Sequence, residues 1–266
     1  MADIHLPFSL IDSHFHASSM THKGFDVVPL LQDCFSQGLV AAIDAGIDEQ
    51  DFQTRLELAQ SFPRLFLGAG IHPCESGQEN WEERFEAIVQ QCQHPKVVAI
   101  GETGLDYYWD NVERSVQHRA FSQHLELAAH ENLPIIVHNR EADDDVIKQI
   151  QQSSCRTGVM HCFSSDWSTA KKALDLGFSL SFAGNISYGK NEAVLEAARN
   201  VPIERLLIET DAPYLSPRPR RGKPNHPGHV GYTLEFLCDL RGISVEEGAK
   251  QTTENARRLF ALEKAT

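Results

Sequence analysis

The segment LIDSHFHA, residues 10–17, places Asp12, His14 and His16 two positions apart. Residues at that spacing on an extended strand project to one side, so a carboxylate and two imidazoles would point together while Ser13 and Phe15 turn away. A His-x-His pair at a strand end is a pincer for a divalent cation. The chain carries 13 His, so one such pair can arise by chance and takes its meaning from what the fold brings to it. Further metal-capable residues follow at His72, Glu102, His138, His161 and Asp211. Two cations in one pocket need about eight to ten donor sites, partly filled by water, and a carboxylate such as Glu102 can bridge both while imidazoles cap either end. A paired-ion site of this kind suits in-line attack on a phosphodiester, because it stabilises the attacking and the leaving oxygen together.

The elements that must position these groups can be read from hydrophobic patterning. Eight apolar, β-branched runs recur at residues 8–14, 39–46, 65–71, 97–103, 134–139, 157–163, 178–184 and 206–212. Segments of helical spacing separate them, at 25–37, 50–61, 80–92, 111–131, 141–152, 166–175 and 191–199, with a final pair at 230–241 and 245–262. Near-continuous apolar strands alternating with helices predict a parallel sheet covered by helices, and eight repeats predict closure into a (β/α)8 TIM barrel. The final helix pair is expected to cover the barrel's exterior. Such a barrel takes roughly 250 residues, so the 266 residues are read as a single domain, 1–266.

Polarity repeats at one end of these runs. His14 and His16 follow the first strand, His72 the third, Glu102 the fourth, His138 the fifth, His161 the sixth and Asp211 the eighth. In a (β/α)8 barrel the C-terminal strand ends converge on one face, where barrel enzymes build their sites. A lone histidine after a strand is usually a hydrogen-bonded loop residue; agreement across six strand ends is what turns the set into a metal site. His5, His22, His94, His118, His124, His130 and His229 fall outside the pattern.

Bulk properties narrow the class. No apolar run approaches the ~20 residues that span a bilayer, and the N-terminus lacks a charged region followed by an apolar stretch, so a cytoplasmic protein without a membrane partner is expected. The six Cys form no C-x-x-C and no framework spacing, consistent with free thiols in a reducing compartment. There is no G-x-S-x-G elbow, no phosphate loop and no G-x-G-x-x-G opening a helix, hence no organic cofactor is expected. A formal net charge of −13 argues against a general nucleic-acid-coating surface, so a polyanionic substrate would need local help. RPRRGKPN supplies Arg218, Arg220, Arg221 and Lys223 on the loop after Asp211, which is expected to overhang the metal face, with Arg221 and Lys223 as phosphate contacts.

Taken in order, DSHFH (12–16), GIHP (70–73), GETGLDYY (101–108), HNR (138–140), HCFS (161–164), ETDAPYL (209–215), RGKPN (221–225) and TTENARRLF (252–260) resemble the TatD family of metal-dependent hydrolases, within the amidohydrolase-like TIM barrels. GETGLDYY and ETDAPYL in that order are the specific part of the match. The resemblance implies that His14, His16, Glu102, His138, His161 and Asp211 ligate two divalent ions (Mg²⁺, Mn²⁺ or Zn²⁺), with Glu102 bridging. It also implies a deoxyribonuclease, 3′-to-5′ on single strands, in which His72 and Glu209 face substrate or support the ligands and Asp106 orders its loop. Asp211 and Glu102 are the expected catalytic carboxylates. Asn255 and Phe260 match a terminal helix signature read as packing and capping. Two positions depart from the commonest family pattern: Ser165 stands where Gly is usual, and His226 where an acidic residue is frequent. An esterase acting on aminoacyl-tRNA, or an amidohydrolase or deaminase acting on a small cyclic amide, could use the same ligands. The oligomeric state is left open.

Overall fold

In the computed structural model, which describes residues 3–109, 111–189 and 191–262, eight strands lie parallel in a single sheet ordered as in the sequence. They are β1 (Leu10–Phe15), β2 (Leu39–Asp44), β3 (Leu65–Ala69), β4 (Val97–Asp106), β5 (Ile135–Arg140), β6 (Gly158–Met160), β7 (Ser179–Phe182) and β8 (Leu206–Ile208). The intervening helices are α1 (Ala17–His22), α2 (Val27–Ser36), α3 (Phe52–Ser61), α4 (Trp81–Gln91), α5 (Arg114–Glu131), α6 (Asp143–Gln152), α7 (Trp167–Asp175) and α8 (Glu192–Asn200), followed by α9 (Val230–Arg241) and α10 (Val245–Leu259). The architecture is the single (β/α)8 barrel expected, with every anticipated strand and helix in place. The short α1 is an addition. Its first amide is capped by a residue distant in sequence, since Ala17 N donates to Asp44 Oδ1 at the end of β2.

Strand periodicity sorts side chains into two cores. Ile11, Ile43, Phe66, Val98, Ile136, Val159 and Leu207 fill the barrel interior, whereas their neighbours Leu10, Ala42, Leu65, Val97, Ile135, Met160 and Leu206 pack against the helix layer. Two residues further along the inward face come His138 after Ile136, His161 after Val159 and Glu209 after Leu207. The apolar floor of the barrel thus gives way to a polar layer at its C-terminal end.

The seam between β1 and β8 has no continuous ladder. Backbone bonds run from His16 N to Ala212 O (2.8 Å) and from Asp211 N to His14 O (2.9 Å). Side chains do the rest: Ser13 Oγ donates to Ile208 O, and Asp12 accepts from both the amide and the hydroxyl of Thr210.

The last two helices do not share the role expected of them. α9 packs on the helix layer through Val230, Leu234 and Leu237, as anticipated for a cover. From α10 and the residues after it, Ala256, Phe260 and Leu262 join the interior cluster and stop the barrel's N-terminal mouth. Asn255 ties this plug down by donating to Ile203 O (2.7 Å) and Leu206 O (2.8 Å) at the start of β8. Phe260, 2% exposed, is the largest side chain of the plug. Phe260→Ala is expected to cost about 3–5 kcal/mol of unfolding free energy, as for other buried aromatics truncated in a packed core. Urea unfolding would read this, and a loss below about 1 kcal/mol would show that the floor is closed by other groups.

Candidate metal centre

Glu102, at 3% exposure, is the hub of the C-terminal face. Its two oxygens look in different directions. Oε2 lies 3.3 Å from both His14 Nε2 and His16 Nε2, and Asp211 Oδ1 stands 3.7 and 3.4 Å from the same two nitrogens. Oε1 lies 2.8 Å from His138 Nδ1 and 2.8 Å from His161 Nε2. Each oxygen therefore belongs to its own cluster of donor atoms, and the carboxylate spans both.

The groups behind the imidazoles determine which nitrogen carries a lone pair. His16 Nδ1 donates to Ala45 O (3.0 Å), leaving Nε2 free, while His138 Nε2 donates to Asp106 Oδ2 (2.9 Å), leaving Nδ1 free. His161 Nδ1 faces Glu209 Oε1 at 3.4 Å, which turns its Nε2 lone pair toward Glu102. In both clusters the inward nitrogens and oxygens lie within reach of one shared proton or cation, so that a divalent ion could take the place of the protons that join them. Imidazole nitrogens and carboxylate oxygens, with an acceptor behind the rings of His16, His138 and His161, are the donor set of a divalent-metal site, so the residues fit the two ions that the sequence implies.

His72 differs. Its Nδ1 accepts from the Cys74 amide (3.1 Å), so the neutral ring carries its proton on Nε2, 3.3 Å from His138 Nδ1 and 3.6 Å from Glu102 Oε1. The residue joins the cavity as a hydrogen-bond donor. Burial, with His138 beside it, depresses its basicity to a pKa of about 3, so it stays neutral.

Asp12 corrects the opening expectation. The register of β1 against β2 shifts between Asp12 and Phe15, which breaks the two-residue alternation and leaves Asp12 aimed at Thr210 while His14 and His16 turn into the barrel. Burial pushes the Asp12 carboxyl up to about 8, against the donors from Thr210 and the His14 amide that favour its ionised form. Asp211 reaches the cluster from a left-handed backbone (φ 53), a conformation Asp tolerates better than most residues.

A cavity of about 680 Å³ opens over this centre, lined by His16, His72, Glu102, Asp106, His138, His161 and Asp211 together with Trp109, Arg140 and Tyr214. Glu209 sits beneath it, fully buried, accepting from the Cys162 amide (2.7 Å). The basic loop is only partly directed here. Arg221 lines an adjoining pocket of about 330 Å³ that shares Ser164, Asn185 and Leu215 with the main cavity. Lys223 is exposed and lines neither, and Arg220 turns away to pair with Asp3 and Tyr232. His226 also faces elsewhere, tilted against His229 with ring centroids 3.7 Å apart. Ser165 donates to Asp143 Oδ1 (2.6 Å) at the start of α6 and so anchors its loop. Sequence reasoning passed over the rim residues Trp109, Arg140 and Tyr214; the YYW run after Asp106 was the available signal.

Burial opposes the charge on Glu102, but the surrounding imidazoles of His161, His72, His138 and His14 hold it well below the usual carboxylate range. Burial likewise opposes protonation of His16, yet Asp211 and Glu102 raise it to about 9. In the metal-free protein a proton on His16 therefore stands where a bound cation would sit. A metal must displace that proton, so between pH 7 and 8 binding is expected to release at least about one proton per protein. Titration calorimetry with Mn²⁺ or Zn²⁺ in buffers of different ionisation enthalpy measures this number, and a heat independent of the buffer would contradict it.

Comparison with known proteins agrees with this geometry. Residues 11–261 match the family model described as TatD related DNase. The uncharacterized metal-dependent hydrolase YabD of Bacillus subtilis is 34% identical over 255 residues, covering 95% of this chain and 99% of its own. YcfH of Escherichia coli, named in the same way, is 35% identical over 259 residues, covering 96% of each. Among solved structures, YjjV, a TatD homologue from E. coli, superposes with a TM-score of 0.89 at 29% identity, covering 95% of this chain and 98% of its own. A TatD-family hydrolase from Entamoeba histolytica shares the fold at 22% identity, with a TM-score of 0.85 and coverage of 96% and 99%. A family match over nearly the whole chain, on a barrel whose strand ends carry the ligand pattern, places this protein in the TatD family of metal-dependent hydrolases.

Proposed function

We propose that the protein hydrolyses phosphodiester bonds in DNA, preferring single strands and working from the 3′ end. The observation that carries this reading is the division of Glu102 between two donor clusters, His14, His16 and Asp211 on one side and His138 and His161 on the other. Divalent ions held by these residues (two of Mg²⁺, Mn²⁺ or Zn²⁺) would supply Lewis acidity for an in-line displacement and lower the pKa of an attacking water. The family description as a DNase supports the choice of substrate.

The chain's own residues divide the remaining work. Asp211, one oxygen of which faces the His14 and His16 nitrogens, accepts the proton of the attacking water. His72 presents its Nε2 hydrogen to a phosphate oxygen or to the leaving group. Glu209 holds His161 in the orientation its role requires. Arg221 meets a phosphate further along the strand from the pocket that adjoins the cavity, and Lys223 one beyond it from the exposed part of the loop.

Protein stripped by chelation and reloaded with Mn²⁺, Mg²⁺ or Zn²⁺ is expected to degrade 3′-blocked single-stranded DNA poorly and free 3′-ended strands to mononucleotides. Asp211→Asn should lower kcat by about 10²–10⁴-fold, the usual contribution of a general base, while metal content falls much less. Glu102→Gln should lose both rate and bound metal. A reloaded enzyme that leaves DNA intact but cleaves an aminoacyl ester or a cyclic amide would replace this reading with one of the alternatives.

A further inference from the structure

Among the described residues, the large apolar side chains most exposed to solvent are Phe8, Val28, Tyr108, Trp109 and Tyr214, and three of these five are aromatic rings at the C-terminal face. Trp109 and Tyr214 line the mouth of the metal cavity itself and are 55% and 44% exposed. A soluble domain has no packing reason to leave such rings in water at a single rim. Each also carries a cation. The Arg140 guanidinium lies 3.9 Å over the Tyr108 ring and 5.7 Å from that of Trp109, and Lys23 Nζ lies 3.9 Å over Tyr214.

The two rings at the mouth stand beside different donor clusters. The Tyr214 ring stands 6.3 Å from that of His16, beside the cluster on Glu102 Oε2. Trp109 stands beside the other cluster, because Asp106 accepts the Tyr108 and Trp109 amides (2.9 Å each) on Oδ1 and the His138 ring on Oδ2. One carboxylate thus couples the orientation of a proposed ligand to the position of a rim ring.

We propose that Trp109 and Tyr214 are the stacking platforms for the two nucleobases that flank the scissile phosphate of a single-stranded polynucleotide, with Arg140 and Lys23 as the adjacent phosphate-facing cations. The inference rests on the phosphodiesterase reading and adds to it the residues that select unpaired bases. Aromatic faces accept any base, and only bases free of a duplex can reach them. The platform therefore selects for strandedness and is tolerant of sequence.

The test measures binding of a fluorescein-labelled, phosphorothioate-linked single-stranded DNA pentamer to the metal-loaded protein by anisotropy. Trp109→Ala and Tyr214→Ala are each expected to weaken binding about tenfold, Trp109→Phe and Tyr214→Phe much less, and Phe8→Ala, at the opposite end of the barrel, not at all. Replacing the base on one side of the central phosphate with an abasic sugar should weaken wild-type binding similarly. It should also abolish the effect of one of the two alanine variants, a coupling that a purely structural defect would not produce. Wild-type binding with no loss in either alanine variant, or alanine losses that persist in full on both abasic strands, overturns the platform and leaves the phosphodiesterase reading standing. If the wild-type protein binds neither DNA nor RNA single strands, the phosphodiesterase reading fails and the platform with it.

Discussion

A carboxylate withdrawn from water must be met by positive charge or by donors, and at the centre of this barrel Glu102 is met by four imidazoles whose ring nitrogens lie 2.8–3.3 Å from its oxygens, close enough to hold a proton or a cation between them. Much of the surrounding polar structure follows from that requirement. A ring is oriented by what its other nitrogen meets, and Ala45 O, Asp106 and Glu209 serve His16, His138 and His161 in turn. Those acceptors need their own support. Asp106 collects the amides of Tyr108 and Trp109, and Glu209 collects that of Cys162. The demand of one buried charge is passed outward, shell by shell, until it reaches the loops at the rim.

The barrel makes this affordable because a parallel strand alternates so regularly. Ile136 and His138, Val159 and His161, and Leu207 and Glu209 share the inward face, so an apolar floor and a polar roof come from the same strands with no change of direction. Where alternation alone would misplace a group, irregularity corrects it. The shift in β1 turns His14 and His16 inward, and the left-handed backbone at Asp211 brings its carboxylate to meet them.

Strands, helices and the proposed ligands were legible because each depends on short-range pattern: apolar runs, helical spacing, and a metal-capable residue at each run's end. What escaped depends on distant partners. The cap of α1 is Asp44, and nothing near Ala17 announces it. Asp12 looked like a third claw of the pincer until its true partner, Thr210, came across the seam. The cations of the 218–223 loop are clustered in sequence, but the loop's local turns send Arg220 toward Asp3 and Arg221 toward the adjoining pocket. Phe260 carried a packing signature, yet only the three-dimensional end of the barrel shows that it closes the floor.

The seam carries a consequence for the order in which the molecule comes into being. Asp12 and Thr210 are 198 residues apart, and the seam they help to close is where the His14 and His16 nitrogens meet Asp211. As the ribosome extends the chain, the pincer emerges early and must wait for its opposing carboxylate until residue 211 has been made. The floor that Phe260 provides arrives later still. Contacts so distant along the chain form slowly, since loop closure must precede them. A partial chain thus holds the first half of the candidate centre and none of its completion, and translation itself withholds the finished cluster until the barrel can close around it.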